Sequence, residues 1–560
     1  MNAGVSDFVG WLDSFFKAYY RRLPVNATFI GIHEHDDQLP DFSEHGAGDT
    51  LAEMEMLLEG LHQLPPERLS EAEALDRKLA EGFLEIQQWE YSSQHFHRGN
   101  PSLYTGEAIF GILSLFLTSF APLDQRVASA IARMEAIPAF LAQGKANIRR
   151  APAAWTDRAI RECTGALAFL QDGVERLIRN EPITDLRFRR AADKASSAFA
   201  DFQHYLEGEL RPHVTETYAC GEQALDLMIH CGHFFALDAE EVVRYAEEQL
   251  AEAQAYLDAH AADFGAVTWR DALAQLADLH PTIENYYDRY TELWDTCRTT
   301  AEAHDLLTWP DFPIRYVPRP MWSRKAAPYL YFLFYRSPAA FNRPEVHDYL
   351  VTPIDASLPV EEQEKLLRAN NDSVIKLNHV VHHGSIGHHV QNWHAFRAES
   401  RIGRIAAVDC ASRIAMFCSG TMAEGWACYA TSLMGEVGFL TPLELYAEHQ
   451  SRRRMSARAV VDVRLHQDRM TLDEAATFYE QRAGMNAQAA RGEAVKNSMF
   501  PGAAMMYLLG ADRIKQLRQE MAVQWGSAFS LRRFHDQFLS YGSVPVALIA
   551  EEMKRKADAG

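Results

Sequence analysis

Cysteine is scarce in this chain, at seven of 560 residues. An odd number with no Cys-x-x-Cys pair argues against both a disulfide framework and a zinc ribbon. No run reaches the ~18 consecutive apolar residues of a membrane span, so no membrane partner is expected. Basic residues are outnumbered, with 55 Lys+Arg against 76 Asp+Glu and a net charge of −21. No basic stripe stands ready for a phosphate backbone, and nucleic acid is not an expected partner. Strand-like alternation is rare, and neither a fixed-period repeat nor a low-complexity tract suggests a solenoid. Residues 1–23 lack a basic head, and their apolar positions recur at helical spacing. They read as a first helix rather than a signal peptide, which makes the cytoplasm the expected location.

What remains is ordinary globular composition, 48% apolar and 23% charged, enough to offset the entropy of ordering. Most of it reads as helix. Leu51–Leu64, Ser70–Trp89, Asp124–Met134, Ala139–Ile148 and Glu240–Ala261 return an apolar residue every three or four positions, and Ser70 and Asp238 are capping residues. The fold class predicted is all-α or nearly so. A soft break near Leu210-Arg211-Pro212 divides residues 1–210 from a C-terminal helical half, residues 211–560. Between Pro310 and Pro344 seven of the 23 prolines alternate with Trp309, Tyr316, Trp322, Tyr329, Tyr331 and Tyr335. That density forbids a continuous helix and predicts loops with a short hairpin, either a surface connector or an aromatic wall over a cleft.

Histidine is concentrated where proline is not. Six of 23 fall in the 16 residues from His379 to His394, where even spreading would place fewer than one. Neutral imidazole is the commonest side-chain ligand for zinc, and the interleaved Val380, Val381, Ile386 and Val390 describe a half-buried helix. On an ideal helix His382 and His389 lie ~20° apart, whereas His382 and His388 lie ~120° apart and converge only across a break. Gly384-Ser385-Ile386-Gly387 is a segment that permits one. Spacing leaves both pairings open. A third ligand should be an oxygen from another element, and Glu424 is the candidate, in a helical segment where Gly425 and Ala427 allow close approach. Cys418 and Cys428 flank it. His230-Cys231-Gly232-His233 reads as a buried helix–turn feature, and Arg452-Arg453-Arg454 as a solvated face with a capacity to clamp a carboxylate.

Taken together, these motifs resemble the bacterial domain-of-unknown-function family numbered 885, a mostly helical group similar to the HExxH metallopeptidases. Its members show His-Glu-x-x-Pro-Gly-His-x-x-Gln, Glu-Gly-Trp-Ala-x-Tyr, Arg-x-Val-Val-Asp-x-x-Leu-His, Glu-x-x-Arg-Tyr and Pro-Gly-Gln-Ala before Tyr-x-x-Gly. The counterparts here run His382 to Gln391, Glu424 to Tyr429, Arg458 to His466, Glu493 to Asn497, and Phe500 to Gly510. The resemblance implies a large helical fold with a deep central cleft and one divalent ion, Zn²⁺ or alternatively Fe²⁺. It implies His382, His388 and Glu424 as ligands, with His389 the alternative to His388, and Asp462 and His466 lining the same cleft.

Against the family pattern, the general-base Glu is His383 and the Pro before Gly387 is Ile386. The Arg-Tyr pair is Lys496-Asn497, and Ala503 replaces Gln. Ligands are kept while acid–base partners are exchanged. The expectation is a metal-dependent enzyme that hydrolyses an amide-like or more reactive bond in a small molecule or short peptide. His383, His466, Lys496, Asn497 and Tyr507 are its candidate catalytic residues. A metal-dependent lyase, isomerase or oxygen-dependent non-haem iron enzyme is one alternative, and a peptidase-like binding protein without catalysis is another.

Overall fold

The computed structural model describes residues 7–330, 338–405 and 420–559. Among them helices dominate, and the one sheet is a parallel pair, Ile314–Pro318 with His347–Val351, in register Ile314 to His347 and Pro318 to Val351. The protein is all-α in class. The first strand stands in the Pro310–Pro344 stretch where a short hairpin was predicted, but its partner lies beyond Pro344 and runs parallel to it, so among the described residues the pair is not a hairpin. No helix among the described residues is long and apolar enough to cross a membrane.

Two compact units divide the chain. The first holds described residues 7–220, 319–330 and 339–344. Its helices Pro101–Leu117, Leu123–Asn147, Ala153–Ala168 and Leu186–Tyr205 pack side by side. Leu123–Asn147 runs through Pro138, where the sequence predicts two helices. Packing along Leu186–Tyr205 outweighs the one backbone bond that proline removes. Ser70 caps Glu71–Ser92 through a capping box, with Glu73 bonding back to the Ser70 amide. Arg133 is fully buried and donates to the carbonyls of Gly111 (2.6 Å), Gln38 (2.9 Å) and His35 (3.2 Å).

The second unit holds described residues 221–318, 338, 345–405 and 420–559. Ala239–His260, capped by Asp238, packs along the 25-residue helix Pro442–His466; Gly420–Glu436 packs along Met506–Trp525. The latter pair crosses at two glycines. A Cβ on Gly425 would lie 2.6 Å from backbone atoms of Gly510, and one on Gly510 2.2 Å from the Thr421 carbonyl oxygen. Only glycine lets these backbones touch.

The described Pro310–Pro344 aromatics pack within their own units. Trp322 packs on Phe169 (5.8 Å between ring centroids) in the first unit, while Tyr316 packs between Tyr290 (5.1 Å) and Tyr349 (5.0 Å) in the second. Tyr331 and Tyr335 lie outside the described residues, as does Cys418. The arginine run also departs from expectation. Arg452 pairs with Asp512 at 2.9 Å, and buried Arg453 lies over the Trp269 ring at 4.8 Å. Only Arg454 is exposed.

Two buried histidines of the second unit set an acid limit on its stability. The His535 Nδ1–H donates to the Leu306 carbonyl (2.6 Å), so Nε2 accepts from the Tyr429 hydroxyl (2.7 Å). His379 Nδ1 shares a hydrogen bond with the Tyr349 hydroxyl (2.6 Å). Burial pushes both imidazoles down to about 4. Between that value and ~6.5 the unfolded chain binds more protons than the native one, so stability falls as pH drops through this window. At pH 5 each group costs ~2 kcal/mol relative to pH 7. Urea unfolding at the two pH values should show the loss, and His535→Gln should reduce it; a pH-independent midpoint would refute the assignment.

Candidate metal centre

Three segments of the second unit bring the site together. The first is a wide i→i+5 helix, Ile375–Gly384, a geometry that recurs at functional sites. Its start is anchored by Glu444, which accepts from Lys376 (2.7 Å) and Ser373 (2.9 Å) while closing the capping box of Pro442–His466. Its end is abrupt. Ser385 and Gly387 leave helical geometry, with ψ of −116° and −121°, and the α-helix His388–Ala395 begins at once. The Trp294 indole N–H holds the Gly384 carbonyl (2.8 Å), and Trp426, two residues beyond Glu424, holds that of Ile386 (2.9 Å). The predicted break is therefore present, and two indole donors hold it.

Across the break His382 and His388 meet with ring centroids 4.9 Å apart and planes at 90°. Glu424 reaches both: its Oε2 lies 3.4 Å from His382 Nε2 and 3.6 Å from His388 Nε2. A tetrahedral ion with bonds of ~2.0–2.1 Å holds its ligand atoms ~3.3–3.4 Å apart, so this donor set fits a divalent cation such as zinc. His383 stands beside them, one ligand atom of each of the three imidazoles lying within 4.8 Å of the others. Orientation is set from behind. His388 Nδ1–H points to the Gln391 amide oxygen (3.4 Å), while the Gln391 Nε2–H donates to the Ser543 hydroxyl (3.2 Å), leaving His388 Nε2 to face Glu424. His383 Nδ1–H donates to the Asn378 carbonyl (2.7 Å), leaving its Nε2 as an acceptor.

Electrostatics follow from burial and proximity. Burial alone would raise the Glu424 carboxyl, but His388 and His382 outweigh it and hold it well below the usual carboxylate range. Burial, followed by the fields of His382 and His388, drives His383 well below its ordinary value. His389 is not part of the cluster. Its ring stacks on Phe312 (4.6 Å) and its Nε2–H donates to the Phe312 carbonyl (2.7 Å), so the alternative to His388 is not assembled.

The other predicted residues gather in a second group. His466 is fully buried, and its Nε2–H donates to the Asn497 carbonyl (2.9 Å); the Asn497 side chain bonds the Tyr479 hydroxyl. Asp462, also fully buried, accepts from the amides of Gly502 (3.0 Å), Ala504 (2.8 Å) and Met505 (3.1 Å) and so shapes the turn before Tyr507. Tyr507 lies under the Arg458 guanidinium (4.8 Å), Arg458 pairs with Glu493 (2.7 Å), and Lys496 is a charged neighbour of Glu493. His233 donates to the Gly502 carbonyl (2.7 Å), a structural role.

Residues 24–553 match the family described as "Bacterial protein of unknown function (DUF885)". The chain belongs to this family. Two solved structures share its fold. One, a candidate lipoprotein of unknown function from Shewanella oneidensis, has a TM-score of 0.79 at 22% identity, covering 98% of this chain and 100% of that one. The other, a candidate lipoprotein from Colwellia psychrerythraea, has a TM-score of 0.79 at 16% identity, covering 99% and 100%. No curated protein matches the chain.

In this DUF885 chain the two groups connect through a residue the motifs do not mark as chemical. Cys428 follows Glu424 by one helical turn, and its charged neighbours are Glu424, Glu448, Arg458 and Lys515. Glu448 and Lys515 carry no sequence signal; 67 positions and a helix change separate them.

Proposed function

We propose that the protein is a metal-dependent enzyme, a relative of the HExxH metallopeptidases, that hydrolyses an amide-like or more reactive bond in a small molecule or short peptide. The observation that carries the reading is the convergence of the His382 and His388 Nε2 atoms on Glu424 Oε2, at 3.4 and 3.6 Å. His382, His388 and Glu424 hold the ion. Bound zinc would polarise a carbonyl and lower the pKa of water to ~7.

His383 takes the proton. Its Nδ1–H is committed to the Asn378 carbonyl, so the basic lone pair is on Nε2. An imidazole held well below its ordinary value by burial is a weak base, and proton transfer follows base strength. That favours a bond with a better leaving group than a peptide amine. Protein purified without added ions should carry about one equivalent of zinc and lose hydrolysis of an activated amide on chelation. His383→Ala should keep the ion while turnover falls ~10²–10⁴-fold. Loss of the ion in that variant would make His383 a ligand, and absence of any ion after reconstitution would end the reading.

A further inference from the structure

The helix Tyr286–Ala303 supplies none of the proposed ligands, yet one of its faces lies along Ile375–Gly384, the segment that carries His382. Tyr290, Trp294 and Cys297 follow one another at i, i+4 and i+7, a single stripe of that helix. The Tyr290 ring lies 5.5 Å from that of His379, three residues before His382. The Trp294 indole N–H donates to the Gly384 carbonyl at 2.8 Å, and the Cys297 sulfur lies 3.1 Å from the Ser385 hydroxyl oxygen. The Ser385 O–H is already given to the Val380 carbonyl (2.9 Å), so the thiol is the donor of its pair. Burial pushes the Cys297 thiol up to about 11, so at neutral pH it keeps the proton it donates.

These bonds fall on the break itself. Gly384 and Ser385 are consecutive, and the next residue, Ile386, gives its carbonyl to Trp426 at 2.9 Å. Trp426 belongs to Gly420–Glu436, the helix of Glu424. Three consecutive residues between His382 and His388 are therefore tied, two to a helix without a ligand and one to the helix that carries the carboxylate. The Gly387 amide closes the frame on the Val381 carbonyl at 2.9 Å. Both the Cys297 and the Ser385 side chains are fully buried, so water does not compete for their bond. The ligand atoms stand 3.4 and 3.6 Å from Glu424 Oε2, close to the ~3.3–3.4 Å that a tetrahedral ion imposes. A shift of a few tenths of an ångström at Gly384 or Ser385 moves His382 relative to His388 and takes the donor set out of that range.

We propose that Trp294 and Cys297 are positioning residues of the metal centre: by fixing Gly384 and Ser385 they set the separation of the His382 and His388 ligand atoms, and with it the coordination geometry of the ion. Their role rests on the metal-dependent reading above. Neither residue touches the ion or the substrate; each acts through the backbone or side chain of the break.

Titration of the chelator-treated protein with Co²⁺ tests this, because the visible absorption of that ion reports its coordination geometry as well as its binding. The wild type should give the intense band of a four-coordinate ion. Trp294→Phe and Cys297→Ala should each bind Co²⁺ ~10-fold more weakly, the lower end of what a group that orients a ligand is worth, and with a weaker, shifted band. Cys297→Ser keeps a donor and should recover part of both. Ser385→Ala should lose at least as much as Cys297→Ala, and adding Cys297→Ala to it should change the affinity by less than ~2-fold, since the thiol acts through that hydroxyl. Variants that unfold at a lower temperature without metal, yet bind Co²⁺ with the wild-type affinity and spectrum, would make the two residues merely structural and overturn the proposal. A full ~10-fold loss from Cys297→Ala in the Ser385→Ala background overturns the thiol's part in it. A wild type that binds no Co²⁺ removes the metal reading and the positioning role together, whereas wild-type binding with unaltered variants removes the positioning role alone.

Discussion

His382→Ala and Glu424→Ala should each strip the protein of the divalent cation proposed for this site. A three-ligand centre depends on every donor: removing the partner that merely orients a ligand histidine costs 10–100-fold in affinity, and removing a ligand costs more, above ~100-fold. Gln391, which receives His388 Nδ1–H, supplies the internal scale, with Gln391→Ala weakening retention by ~10–100-fold. Metal analysis after gel filtration separates the three variants. Thermal unfolding gives an independent readout, because an ion at 1,000 times its dissociation constant stabilises the native state by ~4 kcal/mol. Wild type should lose several degrees of midpoint on chelation, and His382→Ala should lose none. Glu424→Ala has a second signature. Glu424 is 4% exposed and lies against two imidazoles, so its removal frees them from a carboxylate field. A Glu424→Ala protein that still holds stoichiometric metal would show that the ion, if any, is bound elsewhere.

How far the sequence could be read depends on the range of the interactions involved. Capping is local, so Ser70 and Asp238 start their helices where the sequence places them, each bonding the amide three residues on. Histidine clustering is also local and led directly to the segment that carries the site. The pairing within it was not decidable from α-helical spacing. Ile375–Gly384 winds with i→i+5 bonds and ends in a break, and neither leaves a mark in a 100°-per-residue count. Which histidine faces Glu424 is decided by one remote group and one near one: the Phe312 carbonyl, 77 positions away, claims His389, while Gln391, three residues on, turns His388 toward Glu424. Arg452 and Arg453 illustrate the same limit. Three consecutive arginines read as a solvated face, but Asp512 and Trp269, from remote helices, draw two of them inward. Glu448 and Lys515 were invisible for that reason too.

Gly387→Ala should be the most damaging single-methyl change near the site. A Cβ on Gly387 would lie 2.0 Å from the His382 carbonyl oxygen, 2.6 Å from that of Val381 and 2.7 Å from the His382 carbonyl carbon. All three are backbone atoms, so no side chain can swing aside. The Gly387 amide also donates to the Val381 carbonyl at 2.9 Å, and that bond breaks as the segments part. Overpacking together with a lost buried hydrogen bond costs ~3 kcal/mol or more. The direction of the push matters as much as its cost. It separates the turn bearing His382 from the helix that begins at His388, and a shift of ~1 Å at a reacting centre is worth ~10²-fold. Metal retention should therefore fall with stability. Gly384→Ala meets the Tyr316 hydroxyl at 2.5 Å and the His379 carbonyl at 2.8 Å; a hydroxyl at the end of a side chain can yield, so its penalty should be smaller. Gly492, on the helix Ala487–Met499, has nothing within 4 Å of an added Cβ, and Gly492→Ala should be neutral or stabilise by up to ~1 kcal/mol. Urea midpoints and metal content for the three variants test this order. A Gly387→Ala protein as stable and as metal-replete as Gly492→Ala would mean that the break between His382 and His388 is not held by the contact of these two backbones.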